Sequence, residues 1–203
     1  MIDRTRAGLA DIARPALVLA AILGVAGAVT ASAGVAAGWY VYLVGFAVSA
    51  VAIGSLWVLH VGRIGRAGHA AFAFLVAALV LGTPVIAMVA AFVGGQDALH
   101  DLLMPYAMSI AGMVGLFGTL LGYLLVGIVV ARAGVAPAAA GVLIAVAPLV
   151  DLPVEFGLLP LPVWGLAVVV LAAGFGVAAR GVPARAMARA AVMPTTPAGE
   201  MAR

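Results

Sequence analysis

The sequence predicts an all-α polytopic membrane protein, a bundle of six transmembrane helices with both termini on the cytoplasmic side. Three observations predict it. Of the 203 residues, 67% are hydrophobic and 8% are charged, and the mean hydropathy is +1.30, values outside those of soluble domains. The apolar residues gather into six runs separated by short polar segments. Every arginine falls in segments on one side of that alternation, whereas the opposite segments hold only acids. The first two observations fix the class, and the third gives the topology by the positive-inside rule.

Composition also excludes functions. All 10 basic residues are arginine, so chemistry that needs a lysine Schiff base is absent. Cysteine is absent too, which removes disulfides, thiolate nucleophiles and cysteine-ligated clusters. The pI near 10.0 reflects arginines at helix ends rather than a dense basic and aromatic surface, so no nucleic-acid partner is expected. The lipid bilayer is the expected surrounding.

Residues 1–15 form a polar lead with Arg4, Arg6 and Arg14 against Asp3 and Asp11. Span 1 covers about 16–36 and repeats Ala20, Gly24, Ala28 and Ser32 every four residues, a small-residue face for close helix approach. The basic start and Ala31-Ser32-Ala33 also resemble a secretory signal cleaved after Ala33. The length of the apolar run and the two acids in the leader weigh against cleavage. Span 2, about 39–59, opens with Trp39, Tyr40 and Tyr42, which read as an outer aromatic belt.

The loop HVGRIGRAGH holds His60, Arg63, Arg66 and His69 and reads as cytoplasmic. Span 3, about 70–93, carries Gly82-Thr83-Pro84 in its middle, where proline removes a backbone donor and predicts a kink. After an outer segment with Asp97, His100 and Asp101 comes the longest uncharged run, 102–131. At about 1.5 Å per residue it covers roughly 45 Å, against about 30 Å of hydrocarbon, so its first turns belong to the interface, where Pro105 stands.

Span 5, about 136–150, starts at Pro137 and is short. Asp151 and Glu155 follow in a proline-rich outer turn, with Pro153 between them. Span 6, about 163–179, leads to a cytoplasmic tail, 180–203, whose end reads as disordered. Arg6-Ala7-Gly8, Arg66-Ala67-Gly68 and Arg132-Ala133-Gly134 precede the odd-numbered spans. In a chain so rich in these residues they make a weak case for three duplicated hairpins.

No sequence motif names a reaction. Asp97, His100, Asp101, Asp151 and Glu155 are the candidate metal ligands, oxygen and imidazole donors from two adjoining outer loops. The plainer reading is an arginine-free loop with acids favouring a helix N-terminus. His60 and His69 are a remote candidate for a haem pair at the inner surface, since a haem needs imidazoles projecting into the bundle. No cofactor is expected.

For a transport path the candidate cavity lining is Thr83, Pro84, Thr119 and Tyr123 around the broken third span. Gly118 and Gly122 form a GxxxG that favours helix packing, within the bundle or against another membrane subunit or a second copy.

From Gly122 to Val150, GYLLVGIVVARAGVAPAAAGVLIAVAPLV, the chain resembles uncharacterised multi-pass membrane proteins of high-GC bacteria. In these a helix ends in an arginine, a small turn and a proline before the next apolar run. The resemblance implies a bacterial inner-membrane setting and carries no functional residues. The expected role is a non-enzymatic structural, accessory or regulatory membrane component. The alternatives are a channel or transporter for a small neutral solute, or a membrane enzyme acting on a lipid or isoprenoid.

Overall fold

The computed structural model describes residues 2–155, 158 and 162–181, with side chains over 12–153, 158 and 164–181. The predicted tail beyond 181 and the side chain of Glu155 lie outside the described residues. These residues form seven helices and no strands: α1 Ile2–Ser32, α2 Ala36–His60, α3 Arg66–Val93, α4 Asp97–Ala107, α5 Ile110–Ala133, α6 Ala138–Glu155 and α7 Pro162–Gly181. Five helices are long and apolar enough to cross a membrane, those of α1 (over Ile12–Ser32), α2, α3, α5 and α7 (over Trp164–Gly181). The apolar part of α6, Ala138–Pro153, is shorter.

Six of the helices close into a ring. Around it run α1, α2, α3, α5, α6 and α7, each packed on its two neighbours, and α7 returns to α1. One end carries the exposed Arg14, Arg63, Arg66, Arg132 and Arg180 and is the basic end. The other carries Asp97, Asp101 and Asp151 and is the acidic end.

Short turns set this up-and-down order. Gly34 (φ 78°) lets the chain reverse between α1 and α2 in the left-handed region that other residues avoid, and Gly134 (φ 64°) ends α5 in the same way.

Small residues set the helix spacing. A side chain on Gly45 would run into the backbone of Gly24 at 2.8 Å, and one on Gly115 into that of Gly82 at 2.5 Å. Such approaches give lipid-embedded helices the dispersion contact that replaces a hydrophobic driving force. In the basic half the ring is filled. Leu56, Phe72, Leu75, Leu79, Val126 and Phe175 are buried there in one cluster with Leu17 and Ile144. Large apolar side chains such as Ile22, Val80, Leu121 and Leu166 point outward and are exposed, as a lipid-facing surface requires.

The structure departs from the expected spans at two places. The run 102–131 is one continuous crossing in the sequence reading, but the chain breaks at Met108–Ser109. Ser109 takes an extended backbone (ψ 162°), and its hydroxyl accepts from Gly112 N at 3.2 Å, which starts α5 as a new helix. The C-terminal end of α4 folds back onto α3, where the Tyr106 hydroxyl donates to the Leu81 carbonyl at 3.0 Å.

That carbonyl lies in the turn before Pro84, which lacks an N–H, and Thr83 donates to Leu79 O of the same region at 2.8 Å. The second departure is α6, which runs through Pro148 and Pro153 to Glu155. Asp151 therefore stands on a helix and not in a loop. Each proline lacks the N–H that would bond the carbonyl four residues back, so α6 continues with the Ile144 and Leu149 carbonyls deprived of their helical donors.

Candidate functional site: a cavity in the acidic half of the ring

Above the filled half, the ring encloses a cavity of about 300 Å³, at the lower end of the range that takes drug-sized ligands, about 300–1,000 Å³. Five of the six ring helices supply its wall: α2, α3, α5, α6 and α7. On α3, Gly82 and Val85, which flank Thr83-Pro84, line it with Ile86 and Val89. On α6, Ala147, Pro148 and Asp151 face it from successive turns.

Aromatic rings dominate the end nearest the acids. Trp39 and Trp164 stack, with centroids 5.3 Å apart and planes 19° apart, and Tyr42 meets Trp164 edge-on at 4.8 Å. All three line the cavity. Sequence reading placed Trp39 and Tyr42 in an interfacial belt, whereas the fold turns them into the bundle against α7. Burying three rings against one another offers more apolar area than the headgroup zone does. Tyr40, between them in sequence, instead lies by the C-terminal end of α3, where a side chain on Gly94 would meet its hydroxyl at 2.6 Å.

Toward the floor the wall carries a few polar groups. Thr119 and Tyr123 line it, one turn apart on α5. The Thr119 hydroxyl is committed to Gly115 O at 2.6 Å, and Ser49 lies beside the Tyr123 hydroxyl. Phe175 packs on the Tyr123 ring, with centroids 6.3 Å apart, and leads into the filled half. Among the described residues no arginine or histidine is on the wall.

The other sequence candidates are distributed as follows. Thr83 and Pro84 lie between Gly82 and Val85 of the wall but do not line the cavity. Asp97 and Asp101 are exposed on α4, and His100 contacts Asp101 Oδ1 at 3.3 Å. Asp151 lies in the cavity, on a different helix. Among the described residues no group of three or more His, Cys, Asp or Glu is placed to hold a metal ion.

His60 and His69 take unrelated parts at the basic end. His60 is buried with its Nδ1 on Leu56 O at 2.7 Å, and His69 Nδ1 accepts from Trp57 Nε1 at 2.9 Å. Ala20, Gly24 and Ala28 are buried on the face of α1 turned into the bundle, while Ser32 is exposed. Gly118 faces Ala78 and Phe74 of α3, and Gly122 faces Leu75 of the same helix.

Of the wall residues, sequence reading named Thr119 and Tyr123 as cavity lining and Asp151 only as a metal ligand, and it did not name the aromatic end. Trp164 was the available signal, a tryptophan just inside an apolar run at the same acidic end as Trp39. Comparison of the chain with protein-family models, with curated proteins and with solved structures gives no match.

Proposed function

We propose that the chain is a six-span protein of a bacterial inner membrane, with both termini cytoplasmic, that binds a small, largely apolar molecule in a cavity reached from the outside. The orientation rests on the distribution of arginine: the exposed Arg14, Arg63, Arg66, Arg132 and Arg180 stand at one end of the bundle, whereas the other end carries Asp97, Asp101 and Asp151. In this reading α6 crosses as the sixth span, its shortness met by local thinning of the bilayer. The observation that carries the binding role is the cavity itself, an apolar chamber with few polar groups above a filled core. That combination is the usual form of a small-molecule site.

A carrier that passes such a molecule onward is the second reading. It is favoured by Pro84 and Pro148, which give two helices of the cavity wall places to bend. An association role is left to surfaces other than Gly118 and Gly122, since these are taken up by α3.

The natural chain has no cysteine, so single cysteines report cleanly. In intact cells, Ala147→Cys in the cavity wall should react with a small membrane-impermeant methanethiosulfonate added outside. Ala178→Cys in the filled half should not. A saturating neutral aromatic such as neopentylbenzene should slow labelling of the first. Absence of labelling at Ala147→Cys, or labelling from the cytoplasmic side alone, would overturn the proposal.

A further inference from the structure

The geometry points to an anionic phospholipid as a clamp on the contact between α1 and α7 at the basic end of the ring, its headgroup phosphate held between Arg14 and Arg180. The packing of the two helices brings these residues together. A side chain on Gly24 of α1 would meet Val168 Cγ1 of α7 at 3.5 Å, and one on Gly165 of α7 would meet Ser32 Oγ of α1 at 3.4 Å. The helices are therefore antiparallel, in a register that sets Arg14 and Arg180 level to within about one turn. Arg14 stands about five turns before Ser32, which puts it on the face of α1 that meets α7. Arg180 is in the last turn of α7, and both arginines are exposed.

Charge and depth define the occupant. Among the described residues neither arginine has a carboxylate partner, and the nearest acid in the sequence, Asp11, offsets at most one of the two charges. Two like charges on adjoining helices repel each other across the contact that closes the ring. A phosphodiester between them removes the repulsion and accepts hydrogen bonds from both guanidinium forks, a geometry that arginine matches better than lysine does. The apolar segments able to cross a membrane begin at Ile12 in α1 and end at Gly181 in α7, so both arginines lie within a turn of the hydrocarbon border, at headgroup depth. The flank above them is lipid-facing, with Val18 and Ile22 of α1 and Leu166 and Val169 of α7 exposed. A phosphate on an acyl-chained molecule satisfies both parts of that surface, whereas a soluble anion satisfies only the arginines.

The test offers the purified full chain two lipids that differ in headgroup charge. Native mass spectrometry from mixed micelles counts the phosphatidylglycerol and phosphatidylcholine molecules it retains. Phosphatidylglycerol is expected to be retained with about tenfold preference, the share of two arginines near an anionic headgroup. Arg14→Gln with Arg180→Gln should abolish most of that preference. Arg63→Gln with Arg66→Gln removes the same charge from the same end and should leave it in place. In neutral bicelles, added phosphatidylglycerol should raise the thermal midpoint of the natural chain, and millimolar inorganic phosphate should not.

Equal retention of the two lipids would overturn the inference. Equal losses in the two double variants would overturn the clamp, leaving only a diffuse attraction of the basic end for anionic lipid. Stabilisation by inorganic phosphate to the same extent would overturn the choice of a lipid. Should the Arg14 and Arg180 double variant fail to fold, Arg180→Gln alone decides, since a site with one arm cannot bridge the two helices and most of the preference should go.

Discussion

One of the tightest helix contacts in the ring gives the sharpest prediction. At the crossing of α5 and α6, a Cβ on Gly141 would overlap the backbone nitrogen of Ala131 and the carbonyl oxygen of Gly127. A Cβ on Gly127 would in turn stand 2.6 Å from the Gly141 oxygen and 2.7 Å from the Ala145 methyl. Backbone cannot rotate aside as a side chain can, so Gly141→Ala has to push the two helices apart. Ordinary carbon contacts begin near 3.5 Å, so the required displacement is about 1 Å, and a gap of that size forfeits up to half of each dispersion contact along the interface.

Overpacking of this kind typically costs about 1–3 kcal/mol, and a backbone-to-backbone overlap belongs near the top of that range. The same substitution elsewhere meets less. Gly122→Ala encounters the Leu75 side chain at 2.9 Å and its Cα at 3.0 Å, which gives an expected loss of about 1 kcal/mol. Gly24→Ala meets only Val168 Cγ1 at 3.5 Å and should stay within about 0.5 kcal/mol of the natural protein.

The usual gain of alanine over glycine in helices is largely missing, because in lipid the separated helices are already formed. Unfolding the protein from mixed micelles with sodium dodecyl sulfate, followed by tryptophan emission, measures the series. A Gly141→Ala protein as stable as Gly24→Ala would refute the reasoning about this contact.

Two further outcomes test topology and the broken helix. Reporter fusions after residues 65 and 133 should score as cytoplasmic and a fusion after residue 98 as external; the reverse pattern would overturn the orientation. Tyr106→Phe removes the hydroxyl that holds α4 to the Leu81 carbonyl. It should lower stability by about 1 kcal/mol and raise amide exchange selectively in α4, whereas uniform exchange along the chain would mean that α4 is held by something else.

The parts of the fold legible in the sequence are those that desolvation dictates. Arg63 and Arg66 cannot enter hydrocarbon, so the turn between α2 and α3 was visible as a basic loop, and Arg132 marked the last turn of α5 in the same way. The break at Ser109 was hidden because every residue around it is apolar, and hydropathy does not register where one helix stops and another starts. Its trace in the sequence was a lone serine in an uncharged run, a residue that caps helices but as often bonds back to its own.

The aromatic end of the cavity was hidden for a related reason. A tryptophan near the end of a span suits the membrane interface and a bundle interior equally well. Only closure of the ring, which brings Trp164 against Trp39, decides for Trp39. Thr119 and Tyr123 were legible because hydroxyl groups in an apolar run stand out individually, and Asp151 because it is charged.

Closure of the ring has a consequence for how the protein assembles. Every other helix contact joins elements that are close in the sequence, so each hairpin can form as it enters the membrane, with a small entropy cost of closing its loop. Only the seam between α1 and α7 joins the two ends of the ring. Trp164 reaches Trp39 and Tyr42 when that seam shuts, and the chamber gains its aromatic wall at the same moment. A nascent chain stalled before α7 would thus carry Trp39 and Tyr42 but not the Trp164 that closes on them, and a ligand seated across that joint would act as a clasp on the last step of assembly.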